Sequence, residues 1–253
     1  MKLMTLNIWG GHIREPLLEF IIKYRDIDIF CFQEVYHKAQ DKFSTDDKAA
    51  SLNIFSELND LLPHHQSFFQ PVIGNVNGNA YGIGMFVKKN VKVIDEGDVM
   101  IHHNPDYPID APSRKGPTHS RKLQWLALQT DEQIYTVMNV HGLWNGMGKT
   151  DTPERIAQSQ KIKEFMDTLS TPKILCGDFN LSPKTKSLEM LKKEMRDLIE
   201  IYNIPSTRSN HYPKLKEQPF ADYVLTCPKI IVKHFEVLND EVSDHAPLLL
   251  EFE

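Results

Sequence analysis

Short apolar runs, each closed by a polar or turn-forming residue, recur along the whole of this chain and decide which folds are open to it. Runs of this kind are strands, and a run without polar alternation must be covered on both faces. Residues 2–8 (KLMTLNI) and 28–33 (DIFCFQ) read as strands, the second apolar enough to be buried on both sides. Between them, residues 15–25 (EPLLEFIIKYR) have helical spacing, with Pro16 near the first turn where its missing N–H is harmless. The order is strand, helix, strand. Residues 47–62 are expected to form a second helix that stops at Pro63.

Farther on, the pattern changes to hairpins. Residues 81–99 (YGIGMFVKKNVKVIDEGDV) read as two strands about Lys88–Asn90, and residues 123–140 as two more about Asp131–Glu132. Antiparallel pairing is expected within each. Thr152 as N-cap and Pro153 at the first helical position predict a helix over 153–169. PKILCGD is another buried strand, 184–194 is helical, and FADYVLT, IIVKHFEVL and APLLLEFE supply three closing strands. No internal repeat, low-complexity tract or linker-like composition shift interrupts this series. Residues 1–253 are therefore expected to form a single α/β domain, two sheets packed together with helices outside. Two polar, proline-bearing stretches, 102–121 and 205–219, sit between strands, where binding loops are usually carried.

Lys and Arg total 29 against 34 Asp and Glu, a formal charge of -5. That balance excludes a protein living by bulk attraction to nucleic acid or anionic membrane, and leaves room for one compact phosphate site. No apolar run approaches the ~20 residues that span a bilayer, so no integral membrane segment is expected. Asn7 and Gly10 interrupt any signal-like start. Cys31, Cys176 and Cys227, each among apolar neighbours, read as reduced core thiols, and a cytoplasmic protein is expected. No protein partner is implied, and a monomer is expected. The adjacent histidines His64-His65 and His102-His103 point apart in extended chain and are expected at the surface.

The chemistry gathers at strand ends. In ILCGDFN an apolar strand runs into Asp178 and Asn180, which in extended backbone face one way. SDHAPLLLEFE places Asp244 and His245 before the last strand, and in CFQEV Glu34 follows a run too apolar to hold a carboxylate without a partner. A hard divalent cation is one such partner. Asn7 closes the first strand, His141 closes another in NVHGLW, and Asp222 opens the strand FADYVL. Each alone is an ordinary turn or strand-end residue; together they point to one site.

Taken in order, from LNIWG through QE, NVHG, GDFN and FADY to SDHAPL, these motifs resemble the endonuclease/exonuclease/phosphatase superfamily across nearly the whole chain. The resemblance implies a four-layer α/β sandwich with two packed mixed sheets whose strand ends converge on a divalent metal. It implies Mg²⁺, with Mn²⁺ as a substitute, held by Glu34, Asn7 and Asp244, directly or through water. Asp178 would orient or deprotonate the attacking water, and Asn180, His141 and His245 would hold the phosphate oxygens, with Asp222 fixing the His245 tautomer. Arg121, Tyr81 and Trp144 are candidate substrate contacts. The implied activity is hydrolysis of a phosphodiester, in nucleic acid or a small molecule, by in-line attack of water. Alternatives are action on a lipid headgroup, of the neutral sphingomyelinase or inositol-phosphatase type, and an inactive binding module. Trp9, two after Asn7, stands where abasic-site endonucleases carry an acidic or polar residue, which counts against DNA repair.

Overall fold

A computed structural model describes residues 1–39, 49–73, 81–103, 119–130 and 133–253. The strands β1 (Lys2–Asn7) and β2 (Ile29–Tyr36) run parallel, and helix α1 (Arg14–Lys23) makes the crossover that a parallel pair requires. The same unit recurs as β7 (Ile134–His141), α3 (Pro153–Thr168) and β8 (Lys173–Asp178), with β7 and β8 again parallel. Around these pairs the remaining strands are antiparallel. The first sheet adds β3 (His65–Ile73), β4 (Tyr81–Lys88), β11 (Val232–Val237) and β12 (Leu248–Phe252), in the order β11-β12-β1-β2-β4-β3. The second adds β5 (Lys92–His102), β6 (Arg121–Gln129), β9 (Arg196–Asp197) and β10 (Asp222–Thr226), in the order β5-β6-β7-β8-β10-β9. Both sheets are mixed and six-stranded, and their patterns of neighbours match although the sequence holds no repeat.

Alternation along the central strands sorts the core into layers. Met4, Leu6, Phe30 and Phe32 pack with Leu17, Phe20 and Ile21 of α1 and with Ile54, Phe55 and Leu58 of helix α2 (Ile54–Leu61). The opposite face of β1 and β2 supplies Leu3, Ile29 and Cys31 to a core shared with Val137, Ile174 and Cys176 of the second sheet. Ile162 and Met166 of α3 join that core, with Leu188 and Leu191 of α4 (Lys186–Lys192) and Leu198 of the short helix α5 (Leu198–Ile201). This is the expected α/β sandwich. All three cysteines are buried and unpaired, as anticipated. Among the described residues no helix is long and apolar enough to cross a membrane.

One polar clamp ties the sheets together inside this apolar seam. Gln33 Nε2 donates to Thr5 Oγ1 at 3.1 Å and across to Asn139 Oδ1 at 2.7 Å, while Asn139 Nδ2 returns a bond to Phe32 O at 3.1 Å. Gln33 and Asn139 are both fully buried, so these bonds fix how the sheets face each other.

Several expectations are corrected. β4 and β5 do not form a hairpin: β4 already has β2 and β3 on its two edges, so the chain passes at Lys88–Asn90 to the other sheet and β5 pairs with β6. The β6–β7 hairpin does form, although its turn residues 131–132 lie outside the described residues. The helix expected over 47–62 begins only at Ile54. Ser51 Oγ accepts from Asn53 N–H in the turn before it, competing with helix, Asn53 Oδ1 accepts from the distant Lys38 N–H, and residues 40–48 lie outside the described residues. His65 is not a surface residue: it opens β3, an edge strand the sequence reading did not find, and its Nε2 bonds Ile27 O at 2.8 Å. Of the loop 102–121, residues 104–118 lie outside the described residues, His102 belongs to β5 and Arg121 opens β6.

Candidate active site

The two parallel pairs end side by side, and their C-terminal ends carry the chemistry. Asn7 stands opposite Gln33 in the β1–β2 register, His141 opposite Asp178 in β7–β8, and Asp222 opposite Asp178 in β8–β10. β7 and β8 approach closely at Gly177, where φ is 129° and a Cβ would stand 2.1 Å from Val140 O. Only glycine fits, and its absent side chain lets the strand deliver Asp178. Glu34 arrives differently from expectation. It does not end β2, which continues to Tyr36; strict alternation would turn it outward with Phe30 and Phe32 toward the helices. Instead the register slips between Phe32 and Val35 and Glu34 takes φ 58°, a bulge that re-aims its carboxylate toward β1 and β7.

The side chains meet around one amide. Asn7 Nδ2 donates to Glu34 Oε1 at 3.0 Å and to Asp178 Oδ2 at 3.1 Å, while its Oδ1 accepts from Trp9 N at 3.0 Å. His141 Nε2 lies 3.7 Å from Glu34 Oε1 and 3.8 Å from Asp178 Oδ2. Asn180 is not in extended chain, as the spacing implied, but in a left-handed turn with φ 53°. There its N–H bonds Asp178 Oδ1 at 2.8 Å, and its Nδ2 reaches Gly142 O at 3.2 Å and Asp178 Oδ2 at 3.3 Å.

Asp244 and His245 enter from the turn before β12. Both Asp222 oxygens accept from His245 Nδ1, at 2.9 and 2.8 Å, and His245 Nε2 points back to within 3.7 Å of Asp178 Oδ2. Ser243 anchors this turn through a 2.6 Å bond from its Oγ to Asn7 O. All eight residues assigned to the metal and to catalysis are thus gathered at the facing ends of the two sheets: Asn7, Glu34, His141, Asp178, Asn180, Asp222, Asp244 and His245.

The local field separates their protonation states. Burial raises the Asp178 carboxyl, but His245, Lys149, His141 and Arg208 overcome it and hold the group well below the ordinary range, as a carboxylate. Glu34 moves the other way, pushed up by burial against the Asn7 bond, with Asp244 adding to the rise. Burial, then Arg121, keeps His141 well below its usual value, so it is a neutral imidazole. For His245, burial and Arg208 lower the value, but Asp222, Asp244 and Asp178 together raise it.

The donor set fits a hard cation. Atoms of Glu34, His141 and Asp178 lie within 4.8 Å of one another, as do those of Asp178, Asp222 and His245. Two carboxylates from different sheets crowd a single amide, an arrangement that a divalent ion bound by oxygens would relieve.

The three expected substrate contacts part company. Arg121 is no solvated strand-start arginine: it is 3% exposed, bonded to His119, and its charge reaches His141. Tyr81 is buried at the site's flank, edge-to-face with Tyr36 at 5.1 Å and with His119 at 5.4 Å. Trp144 stays at the surface, 40% exposed. The sequence reading missed two residues. Lys149 is 3% exposed and donates to Asn180 Oδ1 at 2.7 Å, and Arg208 bonds His245 Nε2. Lys149 is a lone basic residue in a polar loop and Arg208 heads the small basic cluster Arg208–Lys216, and nothing in the neighbours of either signals burial.

A family model described as the Endonuclease/Exonuclease/phosphatase family matches residues 4–245. Among solved structures, an endonuclease/exonuclease/phosphatase from Bacteroides vulgatus superposes with a TM-score of 0.72 at 19% identity, covering 100% of this chain and 98% of that one. A mannosyl-6-phosphatase of Bacteroides thetaiotaomicron gives 0.73 at 18%, covering 100% and 99%. The human Nocturnin catalytic domain with bound sulfate gives 0.69 at 18%, covering 100% and 93%. At these identities the likeness speaks for the fold. No curated protein matches the chain in sequence. With the family model running from β1 to the turn before β12 and taking in every residue gathered at the site, the chain belongs to the endonuclease/exonuclease/phosphatase family.

Proposed function

We propose that this chain is a Mg²⁺-dependent phosphoesterase, with Mn²⁺ as a substitute, that hydrolyses a phosphodiester by in-line attack of water. The observation that carries the reading is the pairing of Asp178 with two sets of partners: the Asn7 amide on one side and the His245 imidazole, backed by Asp222, on the other. Glu34 and Asp244 would hold the cation, with Asn7 beside them. When bound, it supplies Lewis-acid stabilisation of charge on the phosphoryl oxygens.

The protein's own groups do the rest. Asp178 is ionised, and its carboxylate accepts a hydrogen bond from the attacking water and so aims the water's lone pair at phosphorus. Its depressed proton affinity favours orienting the water over full deprotonation. Asn180 Nδ2 stands beside the developing negative charge, and His245 Nε2 becomes a donor to it when the ring is protonated, a state that Asp222 favours by accepting from Nδ1 and raising the proton affinity of the imidazole. His141, neutral, donates from Nε2.

The test is a hydrolysis panel with Mg²⁺ and with chelator. It holds a chromogenic diester and monoester, duplex and single-stranded DNA, sphingomyelin and phosphoinositides. Chelator-sensitive cleavage of a diester is expected. Turnover that survives chelation removes the metal role, and turnover of monoesters alone makes the enzyme a phosphatase. The protein is proposed to act as a one-domain monomer, and its three unpaired thiols favour a cytoplasmic setting.

A further inference from the structure

Arg208 lies in a loop whose sequence is polar, yet its side chain is only 2% exposed. Its backbone is stitched to the turn bearing Asp244 and His245. An antiparallel bridge joins Arg208 to His245, Ser209 N donates to Asp244 O at 3.3 Å, and Ala246 N donates to Thr207 O at 3.0 Å. The guanidinium carbon stands 4.0 Å from the centre of the Tyr212 ring, which sets the plane of the group.

Among the described residues the hydrogen bond and the ion pair of this guanidinium fall on one nitrogen. Nη1 bonds His245 Nε2 and lies 3.5 Å from Asp244 Oδ2. Nε is buried and has no hydrogen-bond partner among the described residues. A buried guanidinium N–H left unmatched is costly, and an arginine that only braced Asp244 would turn its fork toward both carboxylate oxygens. This one borders the spot where Asp178 Oδ2 and Asp244 Oδ1 lie 3.7 and 3.8 Å from His245 Nε2.

We propose that Arg208 binds substrate: its guanidinium takes two non-bridging oxygens of the ester phosphate, using Nε as one of the two donors, with Tyr212 holding its plane. A planar fork of N–H groups matches a phosphate bidentately, where an ammonium does not. The assignment rests on the phosphoesterase reading and adds to it a phosphate anchor carried by the 205–219 loop, the segment whose sequence marks it as a binding loop.

Inorganic phosphate is the probe, titrated calorimetrically into metal-free and Mg²⁺-loaded protein, beside steady-state kinetics on the chromogenic diester. Arg208→Met is expected to weaken phosphate and raise KM at least tenfold, and Arg208→Lys to recover only part of the loss. Millimolar methylguanidinium is expected to restore phosphate binding to Arg208→Ala. A phosphate Kd in a folded Arg208→Met within twofold of wild type overturns the proposal. So does a change in kcat with KM unmoved, which would make Arg208 a brace for His245. If Arg208→Met does not fold, Arg208→Lys decides by the same Kd. Wild type that cleaves no ester but binds phosphate through Arg208 sinks the esterase reading and upholds the anchor; wild type that binds no millimolar phosphate sinks the anchor.

Discussion

Glu34 and Asp178 come from different sheets and share one donor, the Asn7 amide, at 3.0 and 3.1 Å. Removing that donor leaves the two carboxylates facing each other without their shared amide, with His141 Nε2 standing off at 3.7 and 3.8 Å. Asn7→Ala is expected to lower kcat/KM on the chromogenic diester and weaken Mg²⁺ binding, each about 10- to 100-fold. Calorimetric titration with Mg²⁺ beside steady-state kinetics checks this, and unchanged metal affinity would confine Asn7 to a structural role.

Asp178→Asn keeps the shape of the side chain and removes the acceptor that orients water. The expected loss in kcat is about 10²- to 10⁴-fold with the circular dichroism spectrum preserved. Retained activity would remove Asp178 from the reaction.

Asp222 holds His245, whose Nδ1 faces both its oxygens. Asp222→Asn is expected to lower kcat about 10²- to 10⁴-fold while leaving Mg²⁺ affinity unchanged, since the imidazole loses its tautomer and orientation. A parallel loss of metal affinity would show that Asp222 belongs among the ligands.

Burial pushes the Lys149 ammonium down to about 8. Between that value and the usual 10.5 the unfolded chain binds more protons at this residue than the native one, so native stability contributed here rises with pH across the window. Measured against Lys149→Met, wild-type stability should therefore improve from pH 8 toward pH 10.5, by on the order of 3 kcal/mol at most. Urea midpoints for both proteins at several pH values check the sign. Activity should move oppositely, falling above about pH 8 as the cation beside Asn180 is lost.

The inter-sheet clamp is testable by stability alone. Gln33→Leu strands a buried Asn139 oxygen and is expected to cost about 1–3 kcal/mol, whereas adding Asn139→Leu should return part of it. Two additive losses would show that the two amides act independently.

What was legible in the sequence was whatever chain-local chemistry decides. Thr152 and Pro153 mark the start of α3, whose first turn the Thr152 hydroxyl caps as anticipated, and the apolar run of β8 ends in Asp178 just as its sequence implies. β3 was hidden because HQSFFQPVI mixes polar residues with Pro71, the composition of an edge strand, and only its pairing with β4 makes it one. The site's acids could be found because carboxylates are conspicuous beside apolar strands. Lys149 and Arg208 could not, because a basic residue in a polar loop looks solvated until the fold closes over it. The bulge at Glu34 was equally invisible, since it depends on how β2 meets β4.

β1 lies between β2, which follows it after one helix, and β12, which comes from the far end of the chain: Lys2 pairs with Glu251 and Thr5 with Leu248. Half of its ladder therefore waits for a loop closure of very high sequence separation, which contact order makes slow. Until then β1 is an open edge of the kind that invites pairing with other chains. Asp244 and His245 arrive with the same strand that seals that edge. The strand that completes the first sheet thus also completes the cluster of polar side chains at the facing strand ends.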